Sequence, residues 1–202
     1  MDLARGFGVS PGTTRKALDL LESEGIVTRR QGRGTFVNDP AAPELATRYS
    51  HFHSAAGERV IGEINTLEIV ETKATEDERE RLRLAKDEEV HRLTRVRSHR
   101  GKAFLVENVA LPVALFPGLS ERNLASSGLT VVASAYGIAL GKAVEAVSPG
   151  TASPSAAEAL RVEKGSPVLI LDRVIVTRDG RPAEWRVAVC TTDDMRYKVQ
   201  SA

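Results

Sequence analysis

Residues 7–37 read FGVSPGTTRKALDLLESEGIVTRRQGRGTFV, and the reading of this stretch decides the rest. Ser10 is an N-cap candidate, because its hydroxyl can accept from the unpaired backbone N–H groups of a first helical turn. Pro11 suits the first helical position, which needs no N–H. Ala17, Leu18 and Leu21 follow at helical spacing and predict an apolar stripe. Gly25 ends the helix, since glycine takes the left-handed C-terminal conformation without a Cβ penalty. Ile26-Val27-Thr28 and Thr35-Phe36-Val37 are short β-prone runs. Between them, Arg29-Arg30-Gln31-Gly32-Arg33-Gly34 carries three guanidinium groups, and its glycines permit a tight turn and a close approach to another surface.

A helix followed by a basic-tipped hairpin is what a winged helix-turn-helix requires. The helix enters the major groove of duplex DNA with its N-terminal residues near base edges. The hairpin lays arginines along phosphates or in the adjacent minor groove. Ser10, Thr13, Thr14, Arg15 and Lys16 then form the reading end of the helix, and Arg29, Arg30, Gly32, Arg33 and Gly34 form the wing. A solvated helix with a polar turn accounts for any one of these residues, but poorly for all of them together. The positive charge is local: residues 1–37 hold six basic and four acidic side chains, against 22 and 23 in the remainder. The net charge of +1 therefore hides a basic end.

This stretch resembles the winged-helix domain of GntR-type bacterial transcription regulators. The family pattern is matched at Val9, Ser10, Thr13, Arg15, Ala17, Leu18, Leu21, Glu24, Gly25, Gly32, Gly34, Thr35, Phe36 and Val37. It departs at Pro11, where the family usually has arginine, and at Thr14, where it usually has valine. The lost arginine implies one DNA contact fewer. Residues 1–7 form the short helix ahead of the recognition helix, with Leu3, Ala4 and Phe7 as its apolar face. The family places another helix before this one. Nothing in residues 1–7 supplies it, so an incomplete winged helix is expected, with the Leu18/Leu21 side exposed.

The whole chain has 202 residues, 42% hydrophobic and 27% charged, ordinary for one or two globular domains. No run of about 18 apolar residues predicts a membrane helix, and the N-terminus lacks the pattern of a secretory signal. The single cysteine, Cys190, cannot form an internal disulfide, so a cytoplasmic protein is the simplest fit. The expected organisation is a DNA-binding domain over 1–37, a Pro/Ala-rich linker over 38–49 and a second domain over 50–202.

In that second domain strand-like and helical blocks alternate. Strands are expected over 60–70, 90–98, 102–111, 138–147, 168–177, 183–191 and 197–199. Helices are expected over 75–84, capped by Thr75, over 129–136, stopped by Gly137, and from Ser153-Pro154 to Leu160. Arg100-Gly101 and Asp179-Gly180 are turns. The class is α+β on an antiparallel sheet, with no repeat and no catalytic motif evident. His51 and His53 share a strand face, but no cysteine or carboxylate cluster completes a metal site, and a polar strand explains them better. No metal or other cofactor is expected.

Strand residues two apart share a face. Arg95 and Arg97 therefore project together, Glu107 on the returning strand lies near them, and Glu184 and Arg186 repeat the arrangement. Paired guanidiniums suit a carboxylate or phosphate through parallel hydrogen bonds. A solvated face of cross-strand ion pairs has the same spacing.

The segments RVRSHRGKAFLVENVALP, FPGL, YGI and GSPVLILDRVIVTRDGRPAEWRV resemble the UTRA effector domain of the HutC branch of the GntR family, whose fold is similar to chorismate lyase. The resemblance implies that Arg95, Arg97, Glu107 and Glu184 line an effector pocket, with Arg186 beside Glu184. Gly128-Leu129-Thr130 replaces the family's S-L-Y, and Val189 and Cys190 stand where many members have tyrosine. The resemblance implies a homodimeric repressor that binds a palindromic duplex operator and a small anionic metabolite. Two other readings are a chorismate-lyase-like enzyme and a sensing protein that no longer binds DNA.

Overall fold

The computed structural model describes residues 3–23, 26–38, 48–191 and 193–199. The chain divides into two compact units, Met1–Leu45 and Ala46–Ala202. Most of the expected linker, and Gly25 with its helix-ending role, lie outside the described residues.

The first unit holds α1 (Leu3–Gly6), α2 (Pro11–Ser23), β1 (Val27–Arg30) and β2 (Gly34–Val37). Ser10 caps α2 as expected: the Thr13 amide donates to its Oγ at 3.1 Å. The stripe differs from expectation. Thr14, Leu18 and Leu21 are half-buried while Ala17 is exposed, because a four-then-three spacing aligns 14, 18 and 21 on one side of a helix. Val37 (82%), Phe7 (77%) and Leu20 (55%) are the most exposed large apolar side chains among the described residues of this unit. Strands β1 and β2 pair antiparallel from Val27↔Val37 to Arg30↔Gly34.

The second unit is a six-stranded antiparallel sheet with attached helices. Its elements are β3 (Phe52–Ser54), β4 (Glu63–Lys73), α3 (Glu76–Leu82), β5 (Glu89–His99), β6 (Lys102–Pro112), a 3-10 turn (Leu119–Arg122), α4 (Leu129–Ala135), β7 (Leu140–Thr151), α5 (Pro154–Leu160), β8 (Pro167–Thr177), β9 (Pro182–Cys190) and β10 (Met195–Tyr197). The sheet order is β4-β5-β6-β9-β8-β7, and β3 pairs separately with β10. Thr75 and Glu78 form a full capping box on α3, and the Ser153 hydroxyl caps α5.

Contrary to the expectation of no repeat, the sheet is built from two equivalent halves, β4-α3-β5-β6 and β7-α5-β8-β9. Ala74-Thr75 corresponds to Ala152-Ser153, Leu82-Arg83 to Leu160-Arg161, and Arg95 to Arg173. Arg83 and Arg161 both end their helices in the left-handed conformation. The likeness is hidden in sequence because the hairpin loops differ in length and inward positions have diverged, Arg97 against Ile175.

The expected strand over 60–70 begins instead at Glu63, because Gly62 (φ +78°) breaks it. Val60 donates its amide to Phe52 O and so joins β3. A Cβ at Gly62 would stand 2.7 Å from Cε1 of the buried Phe104. Gly62→Ala therefore combines a left-handed backbone with a core clash, and urea denaturation should show a loss of about 2 kcal/mol or more.

The sheet face carrying the site is layered. At one end Leu93, Val109, Leu111 and Ile175 pack with Phe116, Leu129 and Val132. At the other, Leu105, Leu171, Ala188 and Cys190 pack with Phe52 and Phe104. Arg95, Glu107, Arg173 and Arg186 occupy the strand positions between these two apolar clusters. Helix α3 seals a smaller core of Ala74, Leu82, Val90 and Ala110 with Trp185.

Candidate functional site

Register brings the second unit's charged residues together. Arg95 lies opposite Glu107 across β5 and β6, and Arg173 opposite Arg186 across β8 and β9. Glu107, fully buried, forms an ion pair at Oε1 with Arg95 Nη2 at 2.8 Å and accepts there from Arg97 Nη2 at 3.1 Å, and at Oε2 from Arg186 Nη1 at 3.2 Å. Arg186 also donates to Glu145 at 2.7 Å, and Arg173 to Glu184 at 2.7 Å. Burial alone would raise the Glu107 carboxyl; Arg97, Arg95 and Arg186 outweigh it and hold the group well below the usual carboxylate range.

The network holds four guanidiniums (Arg95, Arg97, Arg173, Arg186) against three carboxylates (Glu107, Glu145, Glu184). It therefore carries one uncompensated positive charge away from bulk water. The buried Nε–H groups of Arg95, Arg173 and Arg186 have no hydrogen-bond partner among the described residues.

Beside the network lies a cleft with a cavity volume of about 80 Å³. Arg97, Arg173 and Arg186 open onto it, facing Thr130 of α4 and Tyr197 of β10. Arg95 and the two expected glutamates do not line it: Arg95 is 2% exposed and spans Glu107 and Ser127 O, and Glu107 and Glu184 hold the arginines from behind. Three side chains escaped the sequence reading. Arg173 carries a readable signal, as an arginine between Leu171 and Ile175 on an inward face and the counterpart of Arg95. Glu145 and Tyr197, hydrogen-bonded to each other, carry none, because β7 and β10 reach the site only through folding. Tyr197 supplies a hydroxyl from a strand other than the one where the family's tyrosine stands. Arg48 and Tyr49, expected in the linker, hydrogen-bond to Gly141 O of β7, and Tyr49 O accepts from Arg173 at 2.6 Å. Burial pushes the Cys190 thiol up to about 12, so it is inert packing.

In the first unit, Thr13, Arg15 and Lys16 are exposed on α2, and Thr14 is half-buried. Ser10 Oγ is committed to capping. The wing turn keeps Gly32 and Gly34 at positive φ and presents an exposed Arg33. Arg30 lies over the Phe36 ring at 5.8 Å. Arg29 turns back onto α2, pairing with Asp19 at 2.6 Å and Glu22 at 3.5 Å and donating to Arg15 O. It ties the wing to the helix.

Comparison with known proteins agrees with this division. Residues 1–37 match the model of bacterial regulatory proteins of the gntR family, and residues 62–196 match the UTRA domain. The chain belongs to the GntR family. This GntR-family regulator is 27% identical over 195 residues to the transcriptional repressor NagR of Bacillus subtilis, covering 95% of this chain and 79% of NagR. It is 32% identical over 185 residues to the regulator Rv0792c of Mycobacterium tuberculosis, covering 88% and 66%. Among solved structures it resembles the ligand-binding domain of a GntR-family regulator from Bordetella bronchiseptica (TM-score 0.70, 26% identity, 77% of this chain and 98% of that one). It also resembles PhnF from Mycobacterium smegmatis (TM-score 0.67, 25% identity, 100% and 89%). The protein is thus a DNA-binding transcription regulator with a UTRA effector domain. Among the described residues no helix is long and apolar enough to cross a membrane.

Proposed function

We propose that this regulator is a cytoplasmic repressor whose operator affinity is set by a small anionic metabolite bound in the arginine cleft. The carrying observation is the buried network of four arginines and three glutamates, which one negative charge would neutralise. Arg97, Arg173 and Arg186 take the anion, while Glu107, Glu145 and Glu184 hold them in place. An enzymatic role is disfavoured by the same geometry, because Glu107 is locked ionised among three guanidiniums and cannot donate a proton. A cleft of about 80 Å³ is smaller than most metabolite sites, so binding moves the segment around Thr130 outward. A ligand that binds the opened state better shifts the population toward it. In a twofold homodimer that shift would change how two winged helices meet a palindromic operator.

On DNA, Thr13, Arg15 and Lys16 meet base edges and phosphates in the major groove, and Arg30 and Arg33 follow the wing. Fluorescence anisotropy on the upstream intergenic duplex, repeated across salt concentrations, tests this. Arg33→Ala should weaken binding at all sequences alike and lower the slope of log K against log salt by about 1. An unchanged slope removes Arg33 from the interface. Screening small carboxylates and phosphates for release of that duplex tests the effector reading, and release by neutral analogues alone would sink it.

A further inference from the structure

The charge and the walls of the arginine cleft restrict which anion it can take. Arg173 and Arg186 lie directly opposite one another across β8 and β9, and each is only 4% exposed. Each keeps an Nε–H with no hydrogen-bond partner among the described residues. These two unmet donors equal in number the oxygens of one carboxylate. The surplus of guanidinium over carboxylate in the network is one charge. His51 also lines the cleft but adds no charge at neutral pH, because burial holds its imidazole below the ordinary range against the pull of Glu145. A carboxylate therefore leaves the network neutral. A phosphomonoester, with a charge of about −1.5 to −2 at neutral pH, leaves it negative and largely out of water, where excess charge is costly.

Much of the remaining wall is apolar. Phe52 of β3, Leu105 of β6 and Leu129 of α4 line the cleft and are buried members of the two clusters that flank the arginines. Val131, half-buried on α4, lines it as well. Among the described lining residues there is no Asp, Glu, Asn or Gln. The hydroxyls of Tyr49, Ser50 and Tyr197 already donate to Gly141 O, Val60 O and Glu145. A polyhydroxylated body would bury hydroxyl groups against Phe52, Leu105 and Leu129, whose side chains offer no acceptor. An apolar body in the same place is removed from water at no such cost.

We propose, resting on the reading of this cleft as the effector site, that it selects a compact monocarboxylate with an apolar body over phosphorylated and polyhydroxylated metabolites. The carboxylate is held by Arg173 and Arg186, with Arg97 completing the positive wall. The apolar body lies toward Phe52, Leu105 and Val131. Burial of that body supplies affinity. The single surplus charge and the apolar wall act against the competing anions, so selection comes from what the site repels as well as from what it holds. A cleft of about 80 Å³ favours a small body, since a larger one must displace more of α4.

The test is ligand-observed NMR titration of the whole chain at pH 7.5 with acetate, benzoate, phenyl phosphate and gluconate. Benzoate should bind about tenfold or more tightly than acetate, whose body is one methyl group, and than gluconate, which carries the same charge on a polyol. It should exceed phenyl phosphate, with the same ring and nearly twice the charge, by about tenfold. Thr130→Trp, which fills the cleft, should abolish benzoate binding. Val131→Thr exchanges a methyl for a hydroxyl of like volume at a half-buried helical position, so the variant should fold. It should weaken benzoate about threefold and leave acetate unchanged. Phenyl phosphate or gluconate binding as tightly as benzoate, and lost in Thr130→Trp, overturns the proposed selectivity while leaving an anion site in the cleft. An equal loss of acetate and benzoate in Val131→Thr overturns the apolar contact, and no binding of benzoate overturns the proposal outright. Benzoate binding that survives both Thr130→Trp and Arg173→Ala overturns the effector reading with it, because the anion then sits elsewhere.

Discussion

Glu107→Ala should destabilise the second unit by about 3–5 kcal/mol, the range measured when one member of a buried ionic cluster is removed. The carboxylate is fully buried and receives Arg95, Arg97 and Arg186. Without it, three guanidiniums face one another with Glu145 and Glu184 as the remaining counter-charges. At 2–4 °C per kcal/mol for a domain of this size, thermal unfolding should fall by roughly 6–20 °C. The pH dependence follows with a definite sign. The folded carboxyl is held below its ordinary value of 4.5, so the unfolded chain binds the proton more readily. The stabilisation is present above pH 4.5 and drains away as the pH falls below it. Glu107→Gln should lose stability at neutral pH and show a flatter acid limb in urea midpoints between pH 5 and 3. An acid limb as steep as that of the parent would show that Glu107 is not ionised in the fold.

Arg173→Ala should weaken the effector response roughly 10- to 100-fold while leaving operator affinity near that of the parent. Arg173 lies in the second unit, opens onto the cleft and is 4% exposed. A charged hydrogen bond of about 1.5–3 kcal/mol corresponds to a loss of roughly 10- to 100-fold in ligand affinity. The readout is the concentration of a releasing anion needed to free half the duplex in the anisotropy assay. Arg173→Ala strands Glu184, so Thr130→Trp provides a control that occupies the cleft without touching the ion pairs. A parent-like response in both variants would place the effector elsewhere. Arg95→Ala is a separate case. Arg95 lies behind the cleft and joins Glu107 to Ser127 O, so its loss should act first on stability.

Much of this was legible in the sequence because it is local. The caps at Ser10, Thr75 and Ser153 depend on a hydroxyl and the three residues after it. The Arg100-Gly101 turn, with φ +53° and +77°, is announced by Gly101, which takes the left-handed region without a Cβ penalty. The alternation that puts Arg95 and Arg97 on one face is a property of any strand. The pairing of Arg95 with Glu107 was not legible in the same way: the two-residue hairpin alone sets Arg95 opposite Val106, and a bulge between Arg97 and Ser98 moves its partner to Glu107.

What only the tertiary structure decided concerns elements far apart in sequence. Arg29 and Arg33 look equivalent in the wing, yet Asp19 and Glu22 on α2 capture Arg29 and leave Arg33 exposed. Arg95 and Arg97 look equivalent on β5, yet only Arg97 reaches the cleft. Glu145 and Tyr197 reach the arginines from β7 and β10 with no local pattern to announce them. The two halves of the sheet share Arg95 and Arg173 because they share a fold, while their neighbouring residues have diverged. Local propensity places a side chain on a face, but the choice of which charged groups meet there belongs to strand order, and that is settled by burying the apolar clusters on either side of them.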